Sequence, residues 1–88
     1  MSDLIGLGNI GQALARRLDA VGIHTVSDLD RLGHLEAYLR LRDAFPRETP
    51  RETIYVLAAA RWAVRDMDLP ADIREDLRRT AERAEGAA

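Results

Sequence analysis

Apolar residues recur along this chain at spacings of three and four, and glycine and proline separate the runs they make. Ile10, Ala13, Leu14, Leu18 and Val21 fall on one face of a helix over about residues 9–21. Gly22 stops it, since glycine takes the left-handed cap position without strain. In the stretch Thr25-Val26-Ser27-Asp28, Thr25 caps a new helix and Asp28 reaches back to it, an Asp form of the capping box. Gly33 ends that short helix. A third helix runs from about His34 to Ala44 with Leu35, Tyr38, Leu39 and Phe45 on its apolar side, and Pro46 blocks its continuation.

The clearest start signal lies in the stretch from Pro46 to Glu52. Thr49 is read as an N-cap, Pro50 as the first helical residue and Glu52 as the other half of a capping box. The helix opened there is expected to run to about Met67, carrying Ile54, Leu57, Ala58, Trp62 and Val64. So broad an apolar surface predicts burial on more than one side and a central place in the fold. Pro70 begins the last helix, with Ile73, Leu77, Ala81 and Ala84 as a narrow stripe. Asp72, Glu75 and Asp76 near its start and Arg78, Arg79 and Arg83 further along suit the helix dipole, and Glu75 to Arg79 is an i, i+4 pair of the better orientation. No segment alternates as a strand does. The predicted class is all-α, a compact bundle of about five helices.

An offset of 25 residues brings Leu4, Leu7, Gly8, Ile10, Leu14 and Arg17 onto Leu29, Leu32, Gly33, Leu35, Leu39 and Arg42. Each copy places a Leu-Gly step before a helix. The front half therefore reads as a tandem pair of helix-hairpin-helix-like units, each covering the apolar side of the other.

Composition narrows the function classes. The chain has 88 residues, 47% hydrophobic and 32% charged, enough for one core and too short for two. It is read as a single domain over residues 1–88, with about 4–84 ordered. Without cysteine, disulfides and thiolate metal sites are excluded. All 13 basic residues are Arg, yet the net charge is −2, so no global positive field draws the chain to nucleic acid. The start of the chain lacks the features of a secretory signal, and the longest apolar run, Ile54 to Ala60, is far short of a membrane span. A cytoplasmic location is expected, without a membrane role.

The phrase from Leu7 to Leu41, with its Leu-Gly hairpin, Gly22-Ile23-His24-Thr25, a second Leu-Gly and Ala37-Tyr38, resembles the C-terminal domain of the TfoX-type competence regulators. Tyr55-Val56-Leu57 and Leu69-Pro70 are similar to that family's later landmarks, so the resemblance covers roughly residues 4–80. Two departures stand out: Ala58-Ala59 where the family tends to have Glu-Gly, and Trp62 a turn earlier than the family's Trp before Leu-Pro. The resemblance implies a helical module related to helix-hairpin-helix domains and tied to the control of DNA-uptake genes. Such modules follow a separate N-terminal domain in full-length regulators and also occur alone.

Two surfaces are candidates for function. In the first, the Gly6-Leu7-Gly8 hairpin presents the backbone amides of Gly8, Asn9, Ile10 and Gly11 to DNA phosphates without reading sequence, with Arg16 and Arg17 downstream and Gly33 and His34 in the second copy; the Asn9 side chain either adds a contact or caps the helix. Against this, the same glycines suit tight turns and close packing, and Asp3, Asp28 and Asp30 would repel a phosphate. In the second, Tyr55, Trp62, Met67 and Leu69 form a contact for a protein partner or a second copy of the chain; alternatively Trp62 completes a core short of aromatics. Protein contact is the favoured function, and weak DNA phosphate binding is the alternative. No catalytic constellation, metal site, cofactor or small-molecule substrate is indicated, since His24 and His34 lack partners at ligand spacing and no Ser–His–Asp or paired-carboxylate set stands out.

Overall fold

The computed structural model describes residues 4–86. Five α-helices follow one another: α1 (Gln12–Ala20), α2 (Val26–Leu32), α3 (His34–Ala44), α4 (Thr53–Arg61) and α5 (Ala71–Gly86). Two short 3-10 turns, Leu7–Asn9 and Asp66–Asp68, precede α1 and α5. The described residues contain no strand. The fold is therefore an all-α bundle, as the periodicity requires.

Local chemistry explains most of the boundaries. Gly22 is left-handed (φ 86°), and the Ile23 N–H donates to the Leu18 carbonyl at 2.9 Å, closing α1 as a Schellman cap. At α2 the expected capping box is present: the Asp28 N–H donates to Thr25 Oγ1 at 3.0 Å and the Thr25 N–H to Asp28 Oδ2 at 3.1 Å. The His24 N–H also donates to Oδ2 at 2.9 Å, and chiefly for that reason the Asp28 carboxyl is held below its usual range.

Three boundaries differ from expectation. α1 begins at Gln12 because Asn9 is left-handed (φ 78°) and breaks the helical path. Thr49 does not cap α4. It is buried, and its hydroxyl donates back to the carbonyls of Phe45 (2.7 Å) and Leu41 (3.2 Å) at the end of α3. Pro50–Glu52 instead form a tight turn of i to i+3 bonds, and α4 starts at Thr53 with no side-chain cap. Finally, α4 stops at Arg61 rather than near Met67. Ala63 turns left-handed (φ 57°) and the Val64 N–H donates to the Ala59 carbonyl at 3.0 Å, a Schellman-type ending built without glycine.

α4 is the centre of the bundle, with Ile54, Leu57, Ala58, Ala59 and Ala60 all buried. The first 3-10 turn and α2, α3 and α5 all pack against it. The three small alanines permit that close approach. Ala58 and Ala59 are sealed inside, so this departure from the family pattern falls in the interior. Leu4, Ile10, Leu18, Ile23, Leu29, Tyr38 and Leu41 complete the front of the core, and Leu69, Leu77 and Ala81 the back. α5 is tied down near its end by Glu85, which accepts from Tyr38 Oη (3.0 Å) and Arg51 Nε (3.1 Å) and pairs with Arg42 Nε (2.9 Å). Burial, together with that carboxylate, pushes the Tyr38 phenol up from its ordinary value.

The 25-residue echo survives in the core and not in the backbone. Leu4 and Leu29 are both fully buried, and Leu7 and Leu32, like Leu14 and Leu39, are partly buried against the same cluster. Around Gly33 two α-helices meet at a glycine, as expected. Around Gly8 the chain enters through a 3-10 turn, and α1 starts at the counterpart of Ala37, well inside α3. Among the described residues the tandem helix-hairpin-helix-like pairing of the front half is thus not confirmed.

Candidate functional site

The first hairpin satisfies much of its own backbone. Gly6 is left-handed (φ 92°), its N–H donates to the Ile10 carbonyl at 2.8 Å, and the Ile10 N–H donates to Leu7 at 2.7 Å. The amides of Gly6 and Ile10 are therefore engaged, and the Ile10 side chain is buried in the core. Gly8 lies in the 3-10 turn. Gly11 is the N-cap of α1, extended and exposed, and a Cβ built there would meet nothing within 4 Å. Neither crowding nor backbone angle demands a glycine at this position.

No side chain caps α1, and no acidic residue occupies its first turn. Arg16 is exposed, and Arg17 is half-buried, its Nε sealed from solvent without a hydrogen-bond partner among the described residues. Asp3, expected beside this hairpin, lies outside the described residues. Asn9, however, donates from its side-chain amide to Asp66 Oδ1 at 2.8 Å. A carboxylate from the far end of the chain thus sits where an anion was expected to bind.

The second hairpin is covered from the same direction. Gly33 (φ 90°, ψ 154°) both ends α2 and precedes α3. The His34 ring lies under Arg61, whose Nη1 donates to His34 Nδ1 at 3.0 Å while its Nε donates to Asp30 Oδ1 at 3.2 Å. A guanidinium has only donors, so Nδ1 must be the acceptor, which assigns the imidazole proton to Nε2. Trp62 meets the same ring edge-on, centroids 5.6 Å apart. Burial first, and the Arg61 charge second, hold His34 below its ordinary imidazole value.

The residues set aside for protein contact divide. Tyr55 is half-covered, with the Arg74 guanidinium 5.7 Å from its ring centre. Leu69 is buried in the core. Trp62 (46% exposed) and Met67 (61%) do face solvent, joined by two residues not singled out from the sequence, Ile5 (49%) and Val64 (40%). Only one of two adjacent apolar residues in a tight turn can point inward, so Leu4 going in leaves Ile5 out. Val64 gave no such signal while it was expected inside a helix. Gly6, Leu7, Ala63, Val64, Arg65 and Asp68 line a groove of about 350 Å³ between the first hairpin and the α4–α5 connection.

The two candidate surfaces are therefore contiguous through residues 61–66, which touch Asn9 of one hairpin and His34 of the other. Among the described residues no group of three or more His, Asp or Glu is placed to hold a metal ion, and no helix is long and apolar enough to cross a membrane. The model of the TfoX C-terminal domain family matches residues 1–81. No curated protein and no solved structure shows significant similarity to the chain.

Proposed function

Because the chain belongs to the TfoX C-terminal domain family, a family of regulatory rather than enzymatic type, we propose that it is a single cytoplasmic module that regulates by binding a protein partner. What supports this reading is the exposure of Ile5, Trp62, Val64 and Met67, the four large apolar side chains that face solvent among the described residues. All four belong to the first hairpin or to the connection between α4 and α5. Apolar surface of this kind gains free energy by leaving water, and a protein contact removes it.

Met67→Glu tests the reading, since Met67 is the most exposed of the four and its loss leaves the core intact. A partner captured by the wild-type chain, rebinding in purified form and lost on Met67→Glu, supports it. Binding unchanged by Met67→Glu and by Trp62→Ala overturns it.

The uncapped and exposed N-terminus of α1, with Arg16 one turn on, favours the second reading, weak DNA phosphate contact. An amide NMR titration with a short DNA duplex at low and then moderate salt separates the two. Salt-sensitive shifts at residues 8–14 and 33–35 would assign the hairpins to phosphate. Their absence in a folded sample leaves the glycines to turn formation.

A further inference from the structure

We infer that the partner for the exposed apolar face is a second copy of this chain, docked about a twofold axis through the α4–α5 connection. This rests on the protein-contact reading and makes it specific. A twofold contact requires a surface that complements itself, with each residue i on one protomer meeting j on the other, and the reverse. The face has both halves of such a fit. Its groove, between Gly6-Leu7 and Ala63-Val64, is bordered in sequence by the protruding side chains: Ile5 precedes Gly6, Trp62 precedes Ala63 and Met67 precedes Asp68. A groove of about 350 Å³ has room for one large apolar side chain from the facing copy.

Charge points the same way. The rim carries one cation and one anion, Arg65 and Asp68, paired at 3.2 Å with side chains 67% and 51% exposed. Such an exposed pair holds little energy in water, so it exchanges readily for the same pair made across an axis: Arg65 to the other copy's Asp68, twice. A nucleic acid would meet the carboxylate of Asp68 here. A strongly charged peptide of either sign would leave half of the rim unmatched. A second copy matches both charges. Four exposed large apolar side chains are far fewer than the roughly 20–30 residues a side of a standard interface, so the dimer is a weak one.

Sedimentation equilibrium of the full chain from micromolar to millimolar concentration tests this. The expected result is a monomer–dimer equilibrium that Arg65→Asp alone and Asp68→Arg alone each weaken at least tenfold, because each puts like charges face to face twice. An equimolar mixture of the two variants then restores the dimer, since both cross-axis pairs become attractive again. Both positions are exposed, and circular dichroism checks that the variants remain folded. A wild-type chain still monomeric at millimolar concentration overturns the inference, as does a dimer indifferent to both variants. In either case the broader reading stands separately if Met67→Glu still abolishes binding of another protein.

Discussion

At the first hairpin two residues turn left-handed, Gly6 and Asn9, and three short backbone bonds between Leu4 and Ile10 close the loop on itself. At the second a single residue, Gly33, carries the whole reversal between two α-helices. Both present a buried leucine from the same place in the 25-residue echo, Leu4 and Leu29. Both are then overlaid by one short segment, Asp66 on Asn9 and Arg61 with Trp62 on His34. The same apolar register has been met by two backbones. The core demands that each leucine arrive at its site, and it is indifferent to whether a helix or a non-helical turn delivers it.

The largest effect expected is therefore one the hairpins share. Leu4→Ala and Leu29→Ala should each destabilise by about 2–5 kcal/mol, the usual range for removing a fully buried leucine. Against a total stability of roughly 5–15 kcal/mol for a domain, either loss is plain in the urea midpoint. A Leu4→Ala cost below about 1 kcal/mol would show that the first hairpin is not anchored as the second is.

Glycine substitution should separate the two. Gly33 has φ 90° and ψ 154°, a region almost closed to other residues, so Gly33→Ala should cost roughly 1–3 kcal/mol. Gly6→Ala, in the left-handed helical region with open space around its Cβ, should cost about 1 kcal/mol. Gly11→Ala, with neither strain nor crowding, should stay within about 0.5 kcal/mol. Equal losses at Gly33 and Gly11 would contradict the assignment of the reversal to Gly33.

Asn9 gives a finer contrast. Asn9→Ala loses the bond to Asp66 and replaces a residue that tolerates the left-handed region with one that tolerates it less well, together about 1 kcal/mol. Asn9→Gly loses the bond but relieves the backbone, and should be nearly neutral. If both lose the same amount, the Asp66 contact and not the turn is what Asn9 supplies.

These contrasts mark what could be read from the chain. The bounds of α2 and α3 were legible because their punctuation is local: Thr25 with Asp28, then Gly33, then Pro46. Thr49 misled because its hydroxyl has two possible uses, and the carbonyls left open at the end of α3 took it. The end of α4 left no mark, since no glycine or proline stands between Thr53 and Leu69 and the left-handed stop falls on an alanine. For the candidate site, Asn9, His34, Trp62 and Met67 were legible one by one. Their convergence was not, because the contacts that join them bridge 57 residues for Asn9 to Asp66 and 27 for Arg61 to His34. Spacing along a helix carries no information at that range.

The smallest effect expected is a pH dependence confined to the second hairpin. His34 accepts from Arg61 only while its imidazole is neutral, and its pKa lies below the ordinary 6.5 in the folded chain. Above that value folded and unfolded chains are both neutral at this position, and the contribution of the contact is complete. As pH falls through 6.5 the unfolded chain takes up a proton that the folded chain refuses, so stability declines until the folded pKa is passed and then levels off. The decline should be modest, since the ring is only half-buried. His34→Gln keeps a carbonyl acceptor for Arg61 and has no proton to gain, so it should remove this component from the urea midpoint measured between pH 7 and pH 5. An unchanged slope in that variant would place the acid sensitivity elsewhere and leave the Arg61–His34 contact without energetic weight. The Asn9→Ala variant, acting on the other hairpin, should keep the slope of the wild type.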